Sequence, residues 1–155
     1  MNEQPTGKNG PLEGLRVIDW TMWQFGPVST MMLADLGAEV IKVESLDGDH
    51  ARQFHRVSGA ASTLPGDLNA YFQSLNRQKM SLAVDLKTQK GKEIMYRLGE
   101  EADVFVQNFR KGVAERLGLG YDDLVKRNPM IVYGAGTGYG PKGPDPEKPA
   151  FAYTG

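Results

Sequence analysis

Two loops of this sequence carry groups that could do chemistry. The segment DGDHARQFH brings together two carboxylates and two imidazoles, at Asp47, Asp49, His50 and His55. Carboxylate and imidazole groups are common ligands of divalent metals. The histidines do not have the i, i+4 spacing that sets a pair on one face of a helix. The pattern therefore favours a solvated acidic loop with two surface histidines over a metal site.

The second loop, GAGTGYGPKGP, is rich in glycine, with Gly134, Gly136, Gly138 and Gly140 at alternate positions. Glycine loops can cradle the phosphates of a dinucleotide, but this spacing is not G-x-G-x-x-G and no regular helix is expected behind it. A turn whose glycines allow close approach of the backbone is the better interpretation. No Ser-His-Asp set or carboxylate pair follows from spacing, so the residues alone indicate no nucleophile.

Composition bounds the class of protein. The chain has 155 residues, 40% of them hydrophobic, a formal net charge of -1 and no cysteine. This length holds one core, and the charge gives no basic excess for nucleic acid. Without cysteine there is no disulfide or thiolate site. Because we find no apolar leader and no membrane-spanning run, we expect a soluble, cytoplasmic protein with a flexible N-terminus over residues 1–10 and one domain over residues 11–155.

Apolar runs rich in strand-forming residues alternate with helical patterns along the domain. Strands are expected at residues 15–20, 39–44, 80–86, 103–109 and 130–135. Helices are expected at residues 27–38 and 87–102, with two shorter ones at 112–119 and 121–128. Residues 45–69 show no clear period and are expected to form a loop with one helical turn. This alternation predicts an α/β fold, an open, mostly parallel Rossmann-like sheet of about five strands flanked by helices.

Periodicity also predicts which helix faces are buried. Val28, Met32 and Leu36 share one face of the first helix, and Gly37 stands where a left-handed C-cap is expected. Ile94, Leu98 and Ala102 share one face of the second long helix. Ligands of such folds collect beyond the carboxyl ends of the strands. The loops that follow the strands are therefore the first places to look for a site.

Several separated blocks, in order, resemble the class III CoA-transferases, the family that includes formyl-CoA and carnitine CoA-transferases and the related α-methylacyl-CoA racemases. The blocks are GLRVIDWTMWQFGPVSTMMLADLGAEVIKVE, NRQKMSLAVDLKTQKGKEI, ADVFVQNFRKGVAERLGLGYDDL and NPMIVYGAGTGYGPKGP. The resemblance runs from about Pro11 to the last residue. Order and number of blocks make it specific at the level of the family.

The resemblance implies transfer of CoA between carboxylic acids through an aspartyl anhydride and an enzyme-bound CoA thioester. In the family that aspartate lies beyond the last residue of this sequence, so the chain is expected to be an N-terminal portion truncated before it. The implied substrates are acyl-CoA and a carboxylic acid, with no permanently bound cofactor or metal. The full-length parent is expected to be a homodimer or a heteromer, and this chain alone is expected to be inactive.

Site residues carry over where positions match the family. Gln24 matches a glutamine that holds the reacting thioester, with capping of the next helix as the alternative. Trp23 would line the pantetheine or acyl channel, or pack in the core. Asn108 and Phe109 match a pair that contacts the CoA chain, with a core role as the alternative for Phe109. Arg116 matches an arginine for CoA phosphate, or is a surface charge of a helix.

Further positions either match the family near the adenine or differ from the residue that other members carry. Val84 and Lys87 match positions near the adenine, whereas Ser45 replaces an arginine that some members carry. Phe151 stands where the racemases need a histidine to move the α-proton, which favours a transferase. Ala152 replaces a carboxylate that many members keep. A non-catalytic CoA-binding subunit is therefore the alternative to an enzyme, and the acyl donor and acceptor are not readable from these residues.

Overall fold

The computed structural model describes residues 10–54, 56–57, 60–140, 142, 148 and 150. Its strands are β1 (Arg16–Trp20), β2 (Glu39–Glu44), β3 (Arg56–Val57), β4 (Ala60–Ala61), β5 (Thr63–Leu64), β6 (Leu68–Asn69), β7 (Met80–Ala83), β8 (Val104–Gln107) and β9 (Val132–Ala135). Its helices are α1 (Phe25–Asp35), α2 (Ala70–Asn76), α3 (Gln89–Glu100), α4 (Val113–Arg116) and α5 (Tyr121–Leu124), with a 3₁₀ turn at His50–Gln53. His55, Phe151, Ala152 and residues 1–9 lie outside the described part, so what was predicted for them stays a prediction.

The five longer strands form one parallel sheet in the order β7-β2-β1-β8-β9. Strand β1 lies at its centre, where Val17 is in register with Val40 of β2 and with Val104 of β8. Each crossover connection between neighbouring parallel strands contains a helix. This is expected, because parallel strands cannot be joined by a tight turn. The predicted α/β fold with five parallel strands is confirmed.

Helices cover both faces of the sheet because alternate strand residues point to opposite sides. On one side Ile18 and Phe105 pack with Met95 of α3 and Leu124 of α5. On the other side Val17 and Val40 pack with Ala34 of α1. No helix among the described residues is long and apolar enough to cross a bilayer.

The buried face of α1 differs from the predicted one. Met32 is 56% exposed, whereas its neighbour Met31 is 8% exposed and is buried together with Thr30 and Ala34. Small side chains such as Ala34 face the sheet here and let the helix approach it closely, while Met32 remains on the solvent side. The predicted cap is confirmed, since Gly37 has φ 103° and its N–H donates to the Ala34 carbonyl at 3.0 Å.

The predicted face of α3 is confirmed only in part, because Leu98 and Ala102 pack with the core but the third predicted residue does not. Ile94 is exposed, and the buried side chain of its first turns is Met95, flanked by Gly91 and Gly99. Gly91 is buried against the loop that follows β7, where a Cβ would lie 2.0 Å from the Asp85 carbonyl oxygen. The glycines thus define a face that counting large apolar residues does not detect.

The stretch from residue 45 to residue 69 contains the expected helical turn and, beyond it, two short antiparallel pairs, β3 with β4 and β5 with β6. The next helix, α2, was not predicted. It begins after Asn69, whose side chain accepts a hydrogen bond from the Phe72 N–H at 2.9 Å. Such a cap is the usual start signal of a helix, and it places Tyr71 next to the loop that follows β1.

Candidate functional site

The site lies at the carboxyl edge of the sheet, where β1 and β8 end side by side. Strand β1 ends at Trp20, and the segment Thr21–Gln24, here called the β1 loop, connects it to α1. Strand β8 ends at Gln107 and is followed by Asn108 and Phe109. Because the two strands are parallel neighbours, both loops leave the sheet at the same edge.

Asn108 joins the two loops. Its Oδ1 accepts a hydrogen bond from the Met22 N–H at 2.9 Å, and its Nδ2 donates to the Met22 carbonyl oxygen at 2.8 Å. The Asn108 amide thus bonds both backbone polar groups of Met22, as a neighbouring strand would. The two residues are 86 positions apart in the sequence. The structure therefore gives Asn108 a holding role in the loop, in addition to the CoA contact that the resemblance implies.

A buried ion pair holds the same loop from β2. Lys42 is 2% exposed and Asp49 is 3% exposed, and Lys42 Nζ lies 3.0 Å from Asp49 Oδ2. Lys42 Nζ also donates to the Thr21 carbonyl oxygen at 2.8 Å. Asp49 Oδ1 accepts from the Trp23 N–H at 3.2 Å. The pair thus bonds the backbone of the β1 loop on both sides of Met22.

This geometry corrects the interpretation of DGDHARQFH as a solvated acidic loop. Asp49 is buried, pairs with Lys42 and also accepts from the Ala51 N–H at 2.9 Å, which starts the 3₁₀ turn. His50 is exposed, as expected. No group of three or more histidine, aspartate or glutamate side chains in the described part of the chain is arranged to hold a metal ion.

Trp23 has a left-handed backbone and an exposed ring. Its φ is 67°, a conformation that costs about 1–2 kcal/mol for a residue with a Cβ. The indole is 44% exposed and stacks on the His50 ring at 5.9 Å, with the Phe54 ring edge-on at 6.1 Å. Phe54 is in turn 5.6 Å from the ring of Tyr71. The side chain lines an open aromatic surface, so core packing is not its role.

Gln24 precedes α1, but its side chain does not cap the helix. Its Oε1 accepts a hydrogen bond from the Tyr71 hydroxyl at 3.2 Å. Because the carbonyl end is engaged, the Nε2 end of the amide is left as a donor. No acceptor within the described ranges is bonded to that Nε2. The capping alternative is thereby excluded, and the amide orientation suits an incoming oxyanion.

Phe109 and Gly136 complete the surroundings of the two loops. Phe109 is partly buried, and its ring lies 4.4 Å from that of Trp20, which is the core packing named as its alternative role. The third loop, after β9, comes close as well. A Cβ added at Gly136 would lie 2.7 Å from the ring of Phe25 and 3.4 Å from Asn108. Glycine at this position therefore lets the backbone approach the site.

The remaining predicted residues, Val84, Lys87 and Arg116, are not bonded to the β1 loop within the described part of the chain. Val84 follows β7 and is buried in the core, so its side chain does not present a surface to a ligand. Lys87 and Arg116 are exposed, in the loop before α3 and at the end of α4. Within the described residues, no hydrogen bond, ion pair or ring contact joins these three to Trp23 or Gln24. Their roles in binding stay predictions.

A second buried ion pair supports α1 from beneath. Lys79 Nζ lies 2.7 Å from Asp19 Oδ2, and it donates to Asn76 Oδ1 at 2.9 Å and to the carbonyl oxygen of Pro27 at 2.9 Å. Burial lowers the pKa of Lys79 below its usual range, although the charge of Asp19 opposes this. The ammonium is bonded to α1 and α2, and not to the backbone of the β1 loop.

Sequence reasoning missed the roles of Lys42, Asp49, Lys79 and Tyr71, and the first two have a signal. Lys42 interrupts the apolar run EVIKVE. A lysine inside a buried strand must have a charged or hydrogen-bonding partner, because an unpaired buried ammonium is very costly. Asp49 precedes a helical turn, where a capping carboxylate is common. Tyr71 has no comparable signal.

The sequence profile of CoA-transferase family III matches residues 12–155. This chain belongs to that family. Of the curated relatives, the probable fatty acyl-CoA transferase Rv3272 of Mycobacterium tuberculosis is 48% identical over 143 residues, which are 91% of this chain and 35% of the relative. An acetyl-CoA:oxalate CoA-transferase of Acetobacter aceti is 38% identical over 95% of this chain and 36% of its own length.

Solved structures of the family agree with the fold. The crystal structure of Rv3272 superposes with a TM-score of 0.81 at 47% identity, covering 91% of this chain and 38% of that one. A CAIB/BAIF family protein from Brucella suis gives a TM-score of 0.84 at 38% identity, covering 95% of this chain and 38% of that one. The family III chain described here thus spans about a third of the length of the relatives it matches.

Proposed function

We propose that these residues form the N-terminal portion of a longer CoA-transferase, in which they hold acyl-CoA and stabilise the oxyanion at the reacting carbonyl. The proposal is supported by membership of family III and by relatives that are named as transferases for different acids. We assign the nucleophilic aspartate to residues outside this chain, which covers about a third of each of these relatives. The acids used are not inferred, because the named relatives differ in them.

The orientation of the Gln24 amide is the observation that carries the proposal. The Tyr71 hydroxyl donates to Oε1, so the Nε2 hydrogens are available at the carboxyl edge of the sheet. Hydrogen-bond donors that are fixed before the reaction stabilise a developing oxyanion without the cost of reorganisation. A neutral donor also leaves the charge of a nearby catalytic carboxylate unchanged.

Each step of the proposed reaction passes through such an oxyanion. The aspartate attacks the acyl-CoA carbonyl and expels CoA thiolate, which leaves a mixed anhydride. The thiolate then attacks the aspartyl carbonyl of that anhydride and releases the donor acid, so that CoA is held as an enzyme thioester. The acceptor carboxylate repeats the two steps in reverse and leaves as its own CoA thioester. We assign the Gln24 Nε2 donor to the oxyanion that forms on the acyl carbonyl.

The aromatic surface beside Gln24 gives this edge of the sheet a place for the acyl or pantetheine chain. The rings of Trp23, Phe54 and Tyr71 follow one another at 5.6–6.1 Å, and Trp23 and Phe54 are both exposed. Exposed rings grouped next to polar atoms are typical of ligand sites. We assign this surface to the chain of the CoA substrate that leads to the thioester.

The test is the kinetics of Gln24→Ala in the full-length transferase. We expect kcat to fall by roughly 10²-fold, the usual cost of one oxyanion donor, while the KM for acyl-CoA changes by less than about threefold. Gln89→Ala, at an exposed glutamine of α3, is the matched control and should retain normal kinetics. A Gln24→Ala enzyme with unchanged kcat would refute the assignment of the oxyanion donor.

A further inference from the structure

Three of the four residues of the β1 loop have backbone groups that are bonded by side chains distant in the sequence. Lys42 bonds the carbonyl of Thr21, Asn108 bonds both backbone groups of Met22, and Asp49 bonds the N–H of Trp23. Loops on a protein surface usually bond to water or to their own residues. A loop with this many distant partners is fixed in one conformation.

The conformation that is fixed is a strained one. Trp23 has φ 67°, and such backbone angles persist only where the surroundings determine them. Its N–H donates a hydrogen bond to Asp49 Oδ1. Asp49 is therefore the partner that acts directly on the strained residue, one position before Gln24. A turn of the Trp23 backbone would carry the Gln24 amide with it.

Burial of the Lys42–Asp49 ion pair also has a cost in desolvation free energy. Removing two charges from water costs several kcal/mol per ion, and an apolar pair of similar volume is often as stable. Lys42 is nevertheless bonded to Thr21, and Asp49 to Trp23, so the two charges join β2 to both sides of one short loop. The sheet would be stable without the bonds from Lys42 and Asp49 to the β1 loop. A fixed position of the β1 loop requires them.

We propose that Lys42 and Asp49 are positioning residues, which hold the strained Trp23 backbone and so set where the Gln24 amide meets the reacting carbonyl. The inference rests on the proposed function of Gln24. Neither side chain touches the substrate in this scheme, since both are buried beneath the loop. Their effect on the reaction passes through the β1 loop.

The test compares Lys42→Met and Asp49→Asn with Lys79→Met in the full-length transferase. Lys79 is the matched control because it is also a buried lysine paired with a buried aspartate, yet it has no bond to the backbone of the β1 loop. Kinetics are measured at a temperature where circular dichroism shows all variants folded. Displacement of a catalytic group by about 1 Å costs up to 10²-fold. We expect kcat to fall by roughly 10–100-fold for Lys42→Met and Asp49→Asn, with less than threefold change for Lys79→Met.

A double-variant cycle separates positioning from general loss of structure. If Lys42 acts through Gln24, then Lys42→Met should lower kcat by less than about threefold in a Gln24→Ala background. Asp49→Asn keeps the shape of Asp49 but puts an NH2 group in place of one of the two oxygens that face the Trp23 N–H and Lys42, so it breaks one of these contacts and carries the test if Lys42→Met does not fold. The positioning role would be overturned if Lys79→Met lowered kcat as much as Lys42→Met or Asp49→Asn does. It would also be overturned if Lys42→Met lowered kcat by its full factor in the Gln24→Ala background. Normal turnover of Gln24→Ala alone would instead overturn the proposed function.

Discussion

Four basic side chains of the described residues divide into two groups that differ in burial. Lys42 and Lys79 are buried and each is paired with an aspartate, so their charges are already compensated. Arg116 and Lys87 are exposed, and no carboxylate within the described residues pairs with either of them. A phosphate ligand gains most from a cation that is not already neutralised. The exposed group is therefore where contacts with CoA phosphate are expected.

Arg116 is the residue on which we base the phosphate prediction. Arg116→Ala should weaken CoA binding by roughly 1.5–3 kcal/mol, the range for a hydrogen bond to a charged group. The measurement is isothermal titration of CoA into the full-length protein. Arg97→Ala, at an exposed arginine in the last turn of α3, should leave the affinity unchanged. Equal affinities in the two variants would remove Arg116 from the site.

Tyr133 gives a pH dependence that is independent of any ligand. Burial raises the pKa of its phenol to about 12 from an ordinary value of 10.0. The folded chain therefore keeps a proton that the unfolded chain releases, so stability is fully present below pH 10 and is lost as the pH rises from about 10 to about 12. Denaturant unfolding across this range should show a decline that Tyr133→Phe lacks.

The cost of that substitution at lower pH should be small. Tyr133→Phe removes the hydrogen bond from the hydroxyl to the Leu119 carbonyl oxygen at 3.1 Å, which is worth roughly 0.5–1.5 kcal/mol. Tyr121→Phe is the matched control, because Tyr121 is exposed and contacts Tyr133 edge-on. The control should decline with pH as the parent does. A parent that shows no decline relative to Tyr133→Phe would contradict the raised pKa.

Sequence could indicate the members of the site only in part, because a family match gives positions and not contacts. The matched residues Trp23, Gln24 and Asn108 do meet at one edge of the sheet. The partners that fix them could not be read, since Asp49 and Tyr71 reach the loop across 26 and 47 positions of chain. Pairings at such distances depend on the crossovers between strands, which local patterns do not encode.

At the scale of elements, strands were easier to predict than helix faces. All five sheet strands lie within the predicted ranges, because each is a short, continuous apolar run. Helix α1 has apolar residues on both sides, so periodicity cannot choose between the face of Met31 and that of Met32. The sheet decides in favour of the face with small residues. Helix α2 was missed because its sequence, AYFQSLN, has only seven residues, too few to show a helical period.

The two adjacent methionines of α1 test this face directly. Met31→Ala should lower the free energy of unfolding by about 2–5 kcal/mol, because it leaves a cavity where a buried side chain was. Met32→Ala should change it by less than about 0.5 kcal/mol, as expected for an exposed position. Denaturant titration of both variants gives the comparison. Equal effects would mean that the helix is rotated from the orientation described here.

At the scale of the whole molecule, the catalytic power of the chain is expected to depend on residues outside it. With acyl-CoA and a panel of acceptor acids, the purified 155-residue chain should show no turnover and no adduct that hydroxylamine or borohydride can trap. The physical reason is that covalent transfer needs a nucleophilic carboxylate at the thioester. Among the described carboxylates, Asp19 and Asp49 are buried and paired with lysines. A trapped adduct on this chain would contradict the proposal that the nucleophile lies outside it.

The place of β1 in the sheet has a consequence for how the chain matures on the ribosome. Arg16 at the start of β1 contacts Glu39 of β2 only 23 positions later, but its other neighbour, Asp103 beside β8, follows 87 positions later. At a synthesis rate of about 5–20 residues per second, the second edge of the central strand waits roughly 4–17 s for its partner. During that time the nascent chain carries an apolar strand with one open edge, which is the state that pairs wrongly with other chains. Synonymous codons that slow translation between β2 and β8 would prolong this state, so the yield of folded protein would depend on the messenger as well as on the amino-acid sequence.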